Sequence, residues 1–243
     1  MSHHIVEAKD LSYAYPDGTA ALKGVSFRIS HGESVALVGE NGAGKSTLLL
    51  HMNGCLLPQN GTLRIGDFTV QERSLPGIRR SVGMVFQDPD DQLFMPTVRD
   101  DVAFGLRNLG CPESEIEGRV LKALETVGIA HLLRRTPYKL SEGEKRAATI
   151  ATVLAMSPDI LVMDEPSANL DPRSRRRLIE LLTTFKHTKI IATHDLDMAL
   201  DVCGRTIVLH KGCVIADGPT ADIFKNEELL QSASLEQPYR MKA

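Results

Sequence analysis

Cysteine is scarce in this 243-residue chain, and its placement argues against two kinds of site. The four cysteines, Cys55, Cys111, Cys203 and Cys213, are scattered and form no C-x-x-C pair. Zinc sites and disulfide frameworks normally show regular, closely spaced cysteines. We therefore expect neither a zinc site nor a disulfide framework, and a reducing cytoplasm fits this cysteine usage.

Long apolar runs and an excess of positive charge are also missing. No stretch of about 18 apolar residues could span a bilayer, and the first ten residues lack the apolar core of a secretory signal. Lys and Arg number 28 against 31 Asp and Glu, and this net charge of -3 argues against nucleic acid as the main partner. Length and composition predict one globular domain. If the chain serves a membrane process, we expect another chain to supply the membrane part.

Strand and helix patterns alternate along the chain and predict an α/β fold. Two strand-like segments, 5–15 and 22–29, flank a turn and predict an antiparallel start. Apolar runs at 34–38, 160–163 and 189–193 are typical of a buried parallel sheet. Further strands are predicted at 62–65 and 82–86, a hairpin at 206–216, and helices at 45–53, within 98–156 and at 173–185.

A glycine-rich loop between a predicted strand and a predicted helix fits the pattern G-x-x-x-x-G-K-[ST]. Glycines there let backbone N–H groups close around phosphate oxygens at a helix N-terminus. The pattern predicts ATP binding, with Lys45 on the β and γ phosphates and the Ser46 hydroxyl on Mg²⁺. The predicted nucleotide-binding residues are Gly39, Glu40, Asn41, Gly42, Ala43, Gly44, Lys45, Ser46 and Thr47.

Two adjacent acids end the apolar strand at 160–163. Asp164 can hold Mg²⁺ through water, and Glu165 can orient and polarise an attacking water. Without a phosphate loop, a pair of solvated loop acids would be the better interpretation. Because the loop is present, we favour a magnesium and catalytic site.

Further motifs follow in a fixed order, and with them the chain resembles the ABC ATPases over residues 5–224. Residues 140–144 occupy the place of the signature motif Leu-Ser-Gly-Gly-Gln, and residues 168–171 match the D-loop. The resemblance implies a P-loop NTPase fold: a RecA-like parallel sheet core, an N-terminal antiparallel β subdomain and an inserted helical signature subdomain. It also implies one domain over residues 1–243: a nucleotide-binding core with its β subdomain (1–88 and 158–226), a helical subdomain (89–157) and a tail (227–243), which we expect to be loosely held.

The same resemblance assigns roles to single residues. Tyr15 stands where the family stacks an aromatic ring on adenine, although a core aromatic is an equally good interpretation. Gln87 matches the Q-loop glutamine, a ligand of Mg²⁺ that senses the attacking water, and His194 matches the switch histidine that bonds the γ-phosphate. Gln87, Glu165 and His194 are therefore the implied catalytic residues. Ser141 and Gly143 match residues that reach the ATP of an opposite subunit.

The signature motif departs from the family pattern at two positions. Glu142 and Glu144 replace a glycine and a glutamine. We expect Glu142 to turn outward, because its charge would repel a triphosphate. Ser141 and Glu144 also fit a capping box at the start of a helix. The changes leave open a regulatory module with poor turnover, although we expect slow ATPase activity.

Residues 85–105 resemble the energy-coupling-factor branch, which includes ATPases of cobalt, nickel and vitamin importers. This branch implies a second ATPase subunit (identical or paralogous), an integral membrane coupling subunit and a separate small membrane subunit that captures substrate. It also implies a place on the cytoplasmic face of the cell membrane. By analogy, cobalt or nickel is the first choice of cargo and a vitamin the second. A soluble ABC ATPase acting on DNA or ribosomes is the alternative.

A basic run, Arg173 with 175–177, lies on the helix predicted at 173–185. A solvated helix face is the simpler interpretation of such a run, ahead of nucleic-acid contact.

Overall fold

The computed structural model describes residues 4–242 as two sheets surrounded by helices. The strands are β1 (His4–Ala14), β2 (Ala20–Ser30), β3 (Ser34–Val38), β4 (Asn60–Ile65), β5 (Phe68–Thr69), β6 (Val82–Val85), β7 (Ile160–Asp164), β8 (Thr188–Ala192), β9 (Arg205–His210) and β10 (Cys213–Pro219). The helices are α1 (Lys45–Met52), α2 (Leu75–Ser81), α3 (Val98–Asn108), α4 (Glu113–Thr126), α5 (Glu142–Ala155), α6 (Pro172–Thr184), α7 (Leu196–Val202), α8 (Thr220–Lys225) and α9 (Glu227–Ser232). Within this range, no helix combines the length and apolar character needed to cross a membrane.

The larger sheet has the strand order β10-β9-β3-β8-β7-β6. Strands β9, β3, β8, β7 and β6 run parallel, and β10 is antiparallel to β9 as the second strand of the predicted hairpin. β7 and β8 are buried along their whole length, because structure covers both of their faces. The carboxyl ends of parallel strands meet at one edge, so the loops after β3, β6, β7 and β8 converge there.

The smaller sheet is antiparallel, in the order β2-β1-β4-β5, and packs over α1. One apolar core joins β1, β2 and β4 to α1 and to the larger sheet. Within it, Leu48, Leu49 and Met52 of α1 are buried almost completely. The helix is therefore held between the two sheets, with its N-terminus at the edge where the loops converge.

The helices inserted between β6 and β7 have an apolar core of their own. Its members recur at helical spacing along α3, α4 and α5: Val98, Val102, Leu106, Ile116, Val120, Leu124, Ala148 and Ala151. α5 also packs on β6 and α6, and so joins the insert to the parallel sheet. The predicted combination of a parallel sheet core, an antiparallel N-terminal sheet and a helical insert is confirmed.

The expectation of a loosely held tail is wrong. Leu230 in α9 and Ala233 after it are buried in the core formed with α6, α7 and α8. The Arg240 guanidinium pairs with Asp201 of α7 (Nη1–Oδ1 2.9 Å), and its backbone N–H donates to Asp197 (3.3 Å). The polar composition of the tail concealed the few apolar side chains that anchor it.

Candidate active site

The glycine-rich turn between β3 and α1 forms the predicted phosphate loop. Gly44 takes a left-handed backbone conformation (φ 104°) directly before α1. A Cβ atom there would lie 2.5 Å from the Ala21 carbonyl oxygen, so a side chain would force the loop apart. The Lys45 ammonium group donates to the carbonyl oxygens of Gly39 (2.8 Å) and Glu40 (3.1 Å). Its charge thus lies where the loop would gather phosphate oxygens.

A cavity of about 770 Å³ opens over this loop, a size that suits a small-molecule ligand. The Tyr15 hydroxyl lies at its edge, 3.0 Å from Thr47 Oγ1. Of the predicted site residues, Ala43 is buried and does not line the cavity, and Ser141 and Gly143 line a different one. The predicted residues that do line it are Tyr15, Gly39, Glu40, Asn41, Gly42, Gly44, Lys45, Ser46, Thr47, Gln87, Asp164, Glu165 and His194.

Asp164 ends β7 beside the phosphate loop, and its carboxyl group is almost completely buried. Burial raises the pKa of Asp164, while a hydrogen bond with the Ser46 side chain acts in the opposite direction. Its Oδ1 atom receives no hydrogen bond from any residue between 4 and 242. A buried oxygen without a donor is costly, and a divalent cation would relieve that cost. Ser46 and Asp164 therefore form a donor set that fits Mg²⁺.

Glu165 and His194 form a pair at the same edge of the sheet. Glu165 Oε2 lies 2.8 Å from His194 Nδ1 and also accepts the His194 backbone N–H (3.2 Å). Glu165 is 6% exposed and has a positive φ of 44°, a strained conformation for a residue with a side chain. Its backbone N–H donates to the Ala192 carbonyl oxygen (2.9 Å), which fixes the turn. The geometry suits a base whose orientation is set by a neighbouring imidazole.

Sequence reasoning missed Arg146, which ties α5 to the loop that carries Gln87. This guanidinium is 4% exposed and donates to the carbonyl oxygens of Phe86 (Nη1, 2.8 Å) and Gln87 (Nη2, 2.7 Å). Burial lowers the pKa of Arg146. Gln92 forms a second link to α5. Its Nε2 donates to the Thr149 carbonyl oxygen (3.1 Å) and to Thr152 Oγ1 (2.8 Å). The available signal in the sequence was an arginine, Arg146, at a position of α5 that faces the protein interior.

The signature segment lies away from the phosphate loop of its own chain. Ser141 is the N-cap of α5 and forms the predicted capping box with Glu144: Glu144 Oε2 accepts the Ser141 backbone N–H (2.8 Å), and the Glu144 backbone N–H donates to Ser141 Oγ (3.4 Å). Glu144 Oε2 also accepts the Ser141 hydroxyl (2.9 Å). Glu142 is exposed, with Oε1 3.7 Å from Lys145 Nζ, and its orientation relative to a nucleotide of the opposite subunit stays a prediction. Ser141, Gly143 and Glu144 line a separate cavity of about 550 Å³ against α6.

Comparison with known proteins identifies the family. A family model described as "ABC transporter" matches residues 22–168. The chain belongs to the ABC transporter family. It is thus an ATPase of the ABC type, whose nucleotide is ATP, and the phosphate loop and the acidic end of β7 lie within the matched region.

Relatives of this ABC ATPase match it along nearly its whole length. A Geobacter sulfurreducens protein, named only as an ATP-binding protein of ABC transporters, is 65% identical and covers 100% of this chain and 97% of its own length. The energy-coupling factor transporter ATP-binding protein EcfA of Methanothermobacter thermautotrophicus is 47% identical, with 96% of this chain and 77% of the relative covered. The recognised energy-coupling-factor resemblance is therefore confirmed.

Solved structures of ABC ATPases share the fold. CbiO1 from Clostridium perfringens, described as part of the ABC transporter complex cbiONQ, has a TM-score of 0.83 at 40% identity and covers 95% of this chain and 94% of its own. The cassette MJ0796, solved as a dimer with ADP and Pi, has a TM-score of 0.81 at 28% identity and covers 88% and 98%. These matches confirm the predicted P-loop NTPase fold.

Proposed function

We propose that this ABC ATPase powers an importer of the energy-coupling-factor type, with cobalt or nickel ions as cargo. The observation that carries the proposal is the link between a nucleotide site and an apolar groove through the segment 86–92. The names of EcfA and of CbiO1, which is part of a transporter complex, support the type of transporter. Cobalt or nickel is proposed by analogy, and a vitamin is the second candidate.

The nucleotide site supplies the chemistry of ATP hydrolysis. Lys45 and the backbone of the phosphate loop bind the phosphates, and Tyr15 supports the adenine ring. Ser46, Gln87 and Asp164 would hold Mg²⁺, and the bound ion would neutralise phosphate charge. Glu165 orients and polarises the attacking water, and His194 holds Glu165 in place and faces the γ-phosphate.

The groove beside the site is the proposed contact for a membrane coupling subunit. Phe94 (61% exposed) and Phe104 (41% exposed) form an edge-to-face pair with ring centroids 5.0 Å apart. Together with Phe86 and Met156 they line a cavity of about 220 Å³. Exposed aromatic clusters of this kind are typical of protein contacts. Residues 89–157, which carry most of this groove, form the proposed helical subdomain, and residues 1–88 with 158–226 form the nucleotide-binding core.

A second cassette, identical or paralogous, completes the proposed active unit. Because Ser141 and Gly143 lie away from the phosphate loop of their own chain, we assign them to the nucleotide of the partner cassette. A small membrane subunit captures the cargo, and the ATPase pair binds the cytoplasmic face of the membrane. Nucleic acid has no role in this arrangement.

Purification of the tagged chain from detergent-solubilised membranes, with mass spectrometry of bound proteins, tests the assembly. We expect a polytopic coupling protein and a small membrane protein, and titration of the latter with Co²⁺, Ni²⁺ and vitamins would identify the cargo. The double variant Phe94→Ser/Phe104→Ser should lose both proteins while still binding ATP. Recovery of soluble partners alone would contradict the importer and favour a soluble ABC ATPase.

Replacement of Glu165 by Gln tests the chemistry. The variant should bind ATP as the unchanged protein does, because the amide keeps its size and its contacts. Hydrolysis should fall by about 10²- to 10⁴-fold, since the general base is gone. The assay is run with the membrane partner present. If the wild type then turns over ATP no faster than the variant, the ATPase role of this site is contradicted.

A further inference from the structure

The basic run on α6 was expected to be a solvated face, but one of its arginines, Arg175, is paired with an acid and is only partly exposed. Arg175 forms a two-point ion pair with Asp195, with Nε–Oδ2 at 2.6 Å and Nη2–Oδ1 at 2.8 Å. The two side chains are 32% and 19% exposed. A planar guanidinium bound at two points fixes both distance and orientation, which a single contact does not. By contrast, Arg176 and Arg177 are exposed.

Asp195 directly follows His194 and is held from several sides. Its Oδ1 accepts the backbone N–H of Met198 (2.9 Å) and so caps α7, while its own backbone N–H donates to Thr193 Oγ1 (3.0 Å). The Ser167 and Asp195 side chains line one cavity. The turn that carries His194 is therefore anchored at Asp195.

His194 itself has little packing to hold it. Its side chain is 65% exposed, and Nδ1 contacts Glu165 Oε2 at 2.8 Å. The position of the imidazole therefore depends on the backbone of the turn and on this contact. Because Asp195 is the next residue in the chain, the contacts that hold Asp195 also help to fix the backbone of His194.

The ion pair also connects this turn to the segment 167–171. Arg175 lies in the first turns of α6, whose N-cap Asp171 accepts the backbone N–H groups of Arg173 and Ser174. Asn169, just before the cap, has a left-handed backbone (φ 60°). Arg175, just beyond the end of the segment, is therefore bonded to Asp195, and Ser167 at its start lines the same cavity as Asp195.

We propose that Arg175 and Asp195 are positioning residues that hold His194 against Glu165 and make this contact depend on the placement of segment 167–171. The proposal rests on the proposed ATPase function. A partner cassette that contacts the segment would thereby adjust the Glu165–His194 pair without touching either residue. Neither positioning residue contacts the nucleotide in this arrangement, so the pair affects turnover rather than binding.

Arg175→Met tests the proposal in the full-length protein, because it keeps the length of the side chain and removes its charge. We expect kcat to fall about 10- to 100-fold with KM for ATP within about threefold, as small misplacements of reacting groups produce. Arg175→Lys should restore part of kcat through one contact. Arg176→Met, the matched control on the same helix, should leave kcat unchanged.

Two further measurements separate positioning from a purely structural role. The double variant Arg175→Met/Asp195→Asn should be no slower than the slower single variant, because both act through one contact. In ¹H–¹⁵N spectra of the imidazoles, the signals of His194, assigned with His194→Gln, should shift in Arg175→Met and stay in place in Arg176→Met. This readout does not need turnover, so it tests the pair even if the ATPase function fails.

Four results would overturn the proposal. The first three are a kcat of Arg175→Met within twofold of the wild type, losses in the double variant that multiply, and unmoved His194 signals. The fourth is a loss of ATP affinity as large as the loss of kcat, since it would show a general defect of the site.

Discussion

Replacing Arg146 by Met should destabilise the fold by about 2–3 kcal/mol. The change removes two charge-assisted hydrogen bonds, at 2.8 and 2.7 Å, to the carbonyl oxygens of Phe86 and Gln87. Bonds to charged groups contribute about 1.5–3 kcal/mol each, which gives a gross loss of about 3–6 kcal/mol. Part of this is offset, because the buried guanidinium is costly to desolvate and its Nε finds no partner in the described part of the chain.

Urea unfolding followed by circular dichroism measures this effect. Methionine fills much of the same volume, so the measured change reports the lost charge and bonds rather than a large cavity. Arg119→Met is the control, because Arg119 pairs with Glu115 on an exposed face (2.9 Å) and should cost less than about 0.5 kcal/mol. A change below about 0.5 kcal/mol for Arg146→Met as well would refute the reasoning that the buried cation anchors the Gln87 loop.

Three further predictions concern the signature motif, a buried acid and the cysteines. Glu144→Gln removes the charge that holds the Ser141 hydroxyl (2.9 Å) and so frees this hydroxyl to bind the ATP of the opposite subunit. KM for ATP in steady-state assays of the paired cassettes should therefore fall about threefold. An unchanged or higher KM would show that Glu144 does not compete with ATP for the Ser141 hydroxyl. Burial raises the pKa of Asp101, so the native state holds this proton more tightly than the unfolded chain does. The free energy of unfolding gained in this way is fully present below the ordinary carboxyl pKa and is lost as pH rises through the raised pKa of the folded state. In urea unfolding across this pH window, the free energy of unfolding should fall less in Asp101→Asn than in the wild type. Equal losses in the two proteins would contradict the raised pKa of Asp101. Burial also raises the pKa of Cys203 to about 12. Iodoacetamide at about pH 8 should therefore label the exposed Cys55 and leave Cys203 unlabelled, as measured by mass spectrometry of the peptides. Equal labelling of the two cysteines would contradict the burial of Cys203.

Local features of the site could be predicted because neighbouring residues produce them. The phosphate loop is one continuous stretch between a strand and a helix, so its glycines and Lys45 determine its shape with little help from elsewhere. The capping box of Ser141 and Glu144 is equally local, since the two residues are three apart on one helix. The apolar runs predicted the buried strands for the same reason.

Contacts between distant segments could not be predicted in the same way. No pattern in the sequence pairs Arg146 with the carbonyl oxygens 59 and 60 residues away, because backbone oxygens carry no sequence signal. The basic run suggested a solvated face, yet one member, Arg175, turns toward Asp195, 20 residues further on. The polar tail concealed Leu230 in the same manner.

The sequence by itself determined the phosphate loop, the acidic end of β7, the order of strands and helices, and the family, because each depends on residues adjacent in the chain or at short, fixed spacing. Only the tertiary structure decided that Glu165 meets His194, 29 residues away, and that Arg175 anchors the turn beside them. The physical reason is that the parallel pairing of β7 with β8 brings the ends of both strands to one edge. Which side chains touch there depends on register and packing, and these are properties of the whole fold.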